Sequence, residues 1–215
     1  VHQNSLLLFN KYAPTYFAKA RTVLEIGARI PSGYLQALNR PDLEWKYMDI
    51  EEQGLSAENL NMQRSTKVDY VVVEENKFPV PDDSFDVVFS AQVLEHVREP
   101  WVWYKEIARI IRPGGYVVTI SPISWPYHEA PIDCWRIFPD GMAALYKQAG
   151  LEQIFAKREC LESQAKRIIP GIGLDSQTTL RRSIMGFMGA FGWPVEAAVD
   201  LITVAQKSDE VWKGA

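Results

Sequence analysis

Four short, largely apolar runs in the first 90 residues each end on a glycine or a polar residue, and stretches of helical period lie between later runs of the same kind. Val23-Leu24-Glu25-Ile26 stops at Gly27, Trp45-Lys46-Tyr47-Met48 at Asp49, Asp69 to Val73 at Glu74-Glu75, and Phe85 to Phe89 at Ser90. Tyr34, Leu35 and Leu38 after Gly33 suit a helix, as do Tyr104, Ile107, Ala108 and Ile111 after Pro100. Arg112-Pro113-Gly114-Gly115 is expected to stop that helix before a fifth strand, Tyr116–Ile120. A helix over Asp140–Gln148, a sixth strand over Leu151–Ala156 and a last strand over Leu201–Ala205 complete the pattern. Runs that are continuously apolar, not alternating, belong in a sheet covered on both faces. The fold expected is therefore α/β: a doubly wound, mostly parallel sheet with helices on both faces.

Composition narrows the function. The 215 residues carry 23 Lys+Arg against 27 Asp+Glu, a formal charge of −4 with no basic block, which argues against binding nucleic acid through its phosphates. Cys134 and Cys160 form no C-x-x-C pair, and with three histidines they give no zinc spacing, so no metal is expected and a reducing, cytoplasmic location is. The most apolar stretch, Ile184–Val195, is broken by three glycines and a proline and is shorter than the roughly 20 residues of a membrane span. No basic region followed by an apolar core marks a signal peptide at the N-terminus.

In open α/β sheets the ligand lies beyond the carboxyl ends of the strands. Gly27 permits a tight turn there and Gly33 a second close approach, while Asp49, 22 positions after Gly27, stands near the spacing at which an acid meets ribose hydroxyls. The loop Gly27-Ala28-Arg29-Ile30-Pro31-Ser32-Gly33 lacks G-x-G-x-x-G and contains a proline without a donor, which disfavours pyrophosphate. No Tyr is followed four positions later by Lys, so the acid/base pair of short-chain dehydrogenases is absent.

The ordered set Val23-Leu24-Glu25-Ile26-Gly27, Asp49, Phe78-Pro79-Val80-Pro81-Asp82-Asp83-Ser84-Phe85-Asp86-Val87-Val88, Leu94-Glu95-His96-Val97 and Ile111-Arg112-Pro113-Gly114-Gly115 resembles the class I S-adenosylmethionine-dependent methyltransferases (type 11-like). The segment Trp125–Arg136 is similar to that of a bacterial subgroup linked to polysaccharide and other small-molecule pathways. The resemblance implies a seven-stranded Rossmann-like sheet with an antiparallel last strand, and S-adenosylmethionine as cofactor with S-adenosylhomocysteine as product. It also implies that Glu25 and the Gly27 backbone hold the methionine part, with Gly33 in the same loop. Asp49 would take the ribose hydroxyls, Glu74 and Glu75 frame the adenine, and Ser90 contact the amino-acid end. The loop at Ala28 to Ser32 departs from the family's D-x-G-x-G-x-G pattern, with Arg29 and Pro31 in place of glycines.

Methyl transfer from a sulfonium needs alignment and exclusion of water more than it needs catalytic groups. A hydroxyl acceptor gains from a base: His128, in the loop after the fifth strand, is the first candidate, with Asp133 to orient its ring, and His96 is the second. Both histidines have a structural alternative, tying down a Pro-rich loop or packing at the sheet end. Trp125, Tyr127 and Trp135 could wall a sugar ring and Arg136 could position a hydroxyl or carboxylate, or Asp133 and Arg136 could simply fix the loop.

The chain reads as a single domain, 1–215. Residues 1–20, with Leu6, Leu7, Phe9, Tyr12, Tyr16 and Phe17, resemble a helical cover over the cofactor, and 158–198 is an inserted segment that could roof the acceptor site or form a homodimer contact. The function expected is transfer of a methyl group to a small-molecule acceptor, a hydroxyl of a sugar or natural-product intermediate. The alternative is a non-catalytic, cofactor-binding regulatory or assembly subunit.

Overall fold

The computed structural model describes residues 3–27, 32–50, 68–74, 77–127, 132–162, 183–184, 187–188, 190–192 and 198–209. Two helices, α1 (Gln3–Tyr12) and α2 (Pro14–Phe17), precede β1 (Thr22–Ile26); α3 (Gly33–Leu38), β2 (Glu44–Ile50), β3 (Tyr70–Val72) and β4 (Phe85–Ala91) follow. A 3₁₀ turn, Leu94–His96, leads into α4 (Pro100–Ile110), β5 (Ile111–Ser124), α5 (Pro139–Gln148), β6 (Leu151–Glu159) and β7 (Val199–Lys207). The seven strands form one sheet in the order β3-β2-β1-β4-β5-β7-β6. β1 pairs in parallel with β2 and β4, and β4 with β5, whereas β7 runs antiparallel between β5 and β6. The strand order reverses between β1 and β4, so their carboxyl ends flank the crevice where a ligand of this fold lies.

The sheet feeds two cores, one on each face. Leu24, Ile26, Val88, Val117 and Leu201 face one side, where Trp103, Tyr104 and Ile107 of α4 and Met142 and Tyr146 of α5 cover them. Val23, Val87, Phe89, Val118 and Ile202 face the other, under Leu8 and Phe9 of α1, Phe17 of α2 and Tyr34 of α3. This two-sided burial is the reason the strands read as continuous apolar runs. On the first side the buried hydroxyls satisfy one another: Tyr104 and Tyr146 meet the Thr119 hydroxyl at 3.1 and 3.2 Å, and Tyr146 meets that of Thr203 at 2.8 Å.

The segment Arg112–Gly115 does not separate helix from strand. It is the start of β5, which takes over directly from α4 at Ile111 and carries a register shift against β4 between Phe85 and Val87. A Cβ on Gly115 would lie 2.8 Å from the Asp86 carbonyl oxygen, so the irregular pairing requires glycine there. β6 and β7 also outrun their apolar stretches, because antiparallel pairing carries polar residues such as Lys157, Arg158 and Glu159 along the ladder. Arg158 and Glu159 of the expected roof are thus strand residues, and most of 160–198 lies outside the described residues.

Phe89 joins three helices to the sheet, its ring 5.0 Å from Phe9, 4.7 Å from Tyr34 and 6.3 Å from Phe17. Truncating a fully buried aromatic typically costs about 3–5 kcal/mol. Phe89→Ala is expected to lower unfolding free energy by that amount in urea titration, and Phe89→Leu by about a third as much. A loss under about 1 kcal/mol for Phe89→Ala would show that the helices are held elsewhere.

Candidate active site

β1 ends at Gly27, whose N–H donates to the Met48 carbonyl of β2 at 2.9 Å while its φ turns to +71°. A Cβ here would fall 2.4 Å from Cγ2 of Val93, two residues beyond β4, inside any real carbon–carbon contact. Backbone therefore passes between β1 and the β4 end with room for no side chain, the kind of close approach that exposes main-chain groups to a ligand.

Glu25, two residues earlier, is buried and points into the α1–α3 side. Its Oε2 accepts from the Trp45 indole N–H at 2.8 Å, and the Ser32 hydroxyl donates to the same carboxylate. Ser32 is also the N-cap of α3, accepting from the N–H groups of Tyr34 and Leu35 at 3.2 and 3.3 Å. One acid thus binds β2 and the start of α3 to β1 and fixes both ends of the Gly27–Gly33 loop. Burial pushes its pKa up to about 7, with Ser32 and Trp45 pulling the other way.

By extension of the β1–β2 register, Asp49 stands beside Gly27 at the end of β2. It is partly exposed, and one oxygen accepts from the Ile50 N–H at 2.9 Å. Glu74 follows β3 and is exposed, its carbonyl bridged by the Lys77 N–H; Glu75 lies outside the described residues. Ser90 is buried near the end of β4, between Ile26 of β1 and Thr119 of β5. Gly27, Asp49, Glu74 and Ser90 therefore collect along one carboxyl edge. Gly33 heads α3 with open space where a Cβ would stand, so it serves here as helix start, not as a close approach.

His128 lies outside the described residues. The described residues on either side, 125–127 and 132–136, are tied to one another and to the turn before α4. Arg136 grips Asp133 through two contacts of 2.5 and 2.7 Å and also donates to the carbonyls of Trp125 and Pro126. Trp135 donates to the Val97 carbonyl at 2.8 Å and packs edge-on against Trp101 of α4. Through these bonds Trp135 and Arg136 hold described parts of the loop to one another and to Val97. Tyr127 is exposed and Trp125 partly buried. The His96 ring bonds to the Ile132 carbonyl and fastens the loop to the 3₁₀ turn.

Residues passed over in sequence complete the edge. Asn4 of α1 donates to Asp200 at 2.8 Å, and Gln92 donates to Asp200 at 3.2 Å and to Ser5 at 3.0 Å. α1 is thereby locked by polar bonds across the ends of β4 and β7. Glu95, next to His96, is fully buried, and neither carboxyl oxygen has a partner beyond the residue's own backbone N–H; Gln92 Oε1, just after β4, and Ser121 Oγ, within β5, are orphaned. Burial pushes the Glu95 pKa up to about 8. A lone acid between the buried Leu94 and Val97 is the signal in the sequence that could have found it. Among the described residues no cluster of His, Cys, Asp and Glu could hold a metal, and no helix is long and apolar enough to cross a membrane.

Glu25 and Glu95 are both more basic folded than unfolded, so the native state holds extra protons between about pH 4.5 and 8 and loses stability as pH rises through that window. Across that window the loss is about 3 kcal/mol for Glu25 and about 5 kcal/mol for Glu95. The urea midpoint is expected to be higher at pH 5.5 than at pH 8, with the slope reduced in Glu25→Gln and again in Glu95→Gln. A midpoint that rises with pH over this range would refute the burial of both acids.

Residues 24–119 match the family model described as "Methyltransferase domain". The chain is 33% identical over 81 residues to a malonyl-[acyl-carrier protein] O-methyltransferase of Marinomonas sp., covering 37% of this chain and 30% of that one. It is 26% identical over 120 residues to the ajmaline N-methyltransferase of Rauvolfia serpentina, covering 54% and 41%. The chain spans less than half the length of these curated relatives. A solved structure of a SAM dependent methyltransferase from Archaeoglobus fulgidus shares the fold, with a TM-score of 0.60 at 18% identity over 94% of this chain and 92% of the other. Residues 24–119, a little under half of the chain, thus match a methyltransferase domain, and the strand order completed by the antiparallel β7 is the Rossmann-like fold shared with that solved methyltransferase.

Proposed function

We propose that the protein transfers the methyl group of S-adenosylmethionine to a small-molecule acceptor and releases S-adenosylhomocysteine. The observation that carries this is the cleft at Gly27, closed to any Cβ by Val93, with Asp49 beside Gly27 in register and Ser90 beside the preceding Ile26. The residues present fit the cofactor. The Gly27 backbone would face the methionine part, Asp49 the ribose hydroxyls, Glu74 and Glu75 the adenine, and Ser90 the amino-acid end. Glu25 acts from beneath, keeping the loop in place through Ser32. When bound, the sulfonium supplies an electrophilic methyl with a neutral leaving group.

The protein's own part is to orient the acceptor and keep water out. Asp133 and Arg136 hold described parts of the loop after β5 to one another, α1 closes the side through Asn4 and Ser5, and we read the segment after β6, 160–198, as the roof of the acceptor site. We read the acceptor as a hydroxyl of a sugar or natural-product intermediate, with His128 removing its proton beside the Asp133 charge, and the protein as cytoplasmic. Phe187 and Phe191, exposed with rings 4.7 Å apart in the roof, are the residues through which a homodimer would form.

Titration calorimetry with S-adenosylhomocysteine tests the cofactor site. Asp49→Ala is expected to weaken binding by about 10–100-fold, since it strips the ribose hydroxyls of a charged partner. No binding by the wild type would reject the proposal. With an acceptor found by screening, His128→Ala is expected to cut turnover by at least about 100-fold while leaving cofactor affinity and Tm unchanged. A fall of a few-fold would return His128 to the architecture of the loop. Cofactor binding without turnover on any acceptor would favour the regulatory-subunit reading, to which the lengthened loop at 28–32 points.

A further inference from the structure

Glu95 presents a problem that the proposed chemistry does not use. Its carboxyl is fully buried, and neither oxygen has a hydrogen-bond partner beyond the residue's own backbone N–H. Buried polar groups are nearly always satisfied, and an orphaned acid in such a place implies a donor that arrives from outside. Its position says which outside molecule. Glu95 follows Val93, the residue packed against Gly27, and its own carbonyl accepts from the Cys134 N–H of the loop after β5 at 2.7 Å. It therefore lies between the cofactor cleft and the loop that an acceptor must pass.

The surrounding charge indicates what that molecule carries. From its own turn, His96 comes no closer than 3.8 Å to the carboxyl, and the His96 ring is already bonded to Ile132. From the loop, Asp133 adds negative charge while Arg136 is spent on Asp133 in a two-contact pair. From β7, Asp200 adds a second negative charge. Three carboxyl groups thus face one guanidinium already committed. A site of this balance repels anions and selects a cation, whose N–H groups would supply the missing donors.

We propose that Glu95 anchors a protonated amine on the acceptor, so that the molecule methylated is an amine-bearing small molecule. This rests on the proposed function for the word acceptor, but not for the amine. Asp133 and Asp200 set the potential around the anchor, and Arg136 keeps the loop from supplying its own cation. The amine enters as an ammonium; below the pKa of about 8, binding displaces the Glu95 proton to solvent.

The test compares trans-4-aminocyclohexanol with cyclohexane-1,4-diol, titrated by ligand-observed NMR into the full chain with and without S-adenosylhomocysteine. The amine is expected to bind at least about tenfold tighter than the diol, with an affinity rising about tenfold per pH unit from pH 6 to 7.5. Glu95→Gln is expected to abolish both the preference and the pH dependence while S-adenosylhomocysteine affinity stays within about twofold. Equal binding of the two probes, binding of neither, or a preference that survives in Glu95→Gln overturns the anchor. Should Glu95→Gln fail to fold, a pH-independent amine affinity in the wild type overturns it equally. Amine preference without S-adenosylhomocysteine binding would instead keep the anchor and remove the methyltransferase reading.

Discussion

Gly27 is where β1, β2 and the chain leaving β4 come closest. Its N–H is held by Met48 and its α-carbon is pressed against Val93, so any side chain would force β1 and the β4 end apart. The constraint reaches both ways along the chain. Toward the ligand it exposes backbone and brings Asp49 alongside; toward the acceptor it sets the 3₁₀ turn that carries Glu95 and His96. A substitution at Gly27 would disturb both halves of the site at once, through positive φ and through the clash.

Polar groups are concentrated inside the same edge of the sheet. Glu25 is buried yet served by Trp45 and Ser32, and Asp200 by Asn4 and Gln92. These satisfied acids bind strands to helices that apolar packing alone would leave free to slide. Glu95 is the exception in the cluster, and the contrast gives it meaning: neighbours of the same chemistry found partners within the chain. Such local inconsistency in an otherwise consistent fold is where function is expected.

Much of the architecture was legible because parallel strands buried on both faces leave continuous apolar runs that end abruptly. Val23–Ile26, Trp45–Met48 and Phe85–Phe89 were placed within a residue or two, and Gly27, Asp49 and Ser90 came to the edge that the fold assigns to ligands. The polar reach of β6 and β7 was not legible, since edge and antiparallel pairing is made by backbone that side-chain patterning does not mark. Nor was the switch at Ile111, where proline and two glycines read as a stop but build a bulge inside β5. In the site, aromatics and cations in a loop suit either role, so Trp135 and Arg136 are open in the sequence to a ligand contact or a tie within the loop. Only the bonds to Val97, Trp125 and Pro126 show what they hold. Asn4, Gln92 and Asp200 meet across more than a hundred residues of chain, a separation that no local pattern reports.

The central claim is that the carboxyl ends of β1, β2 and β4 form one nucleoside site organised by Gly27. A crystal structure of the protein with S-adenosylhomocysteine tests it most directly. The account predicts the ribose hydroxyls on the Asp49 carboxylate and the homocysteine part against the Gly27 backbone, with Glu25 still bonded to Trp45 and Ser32. Density for the nucleoside at any other edge of the sheet, with Asp49 left in solvent, would contradict it.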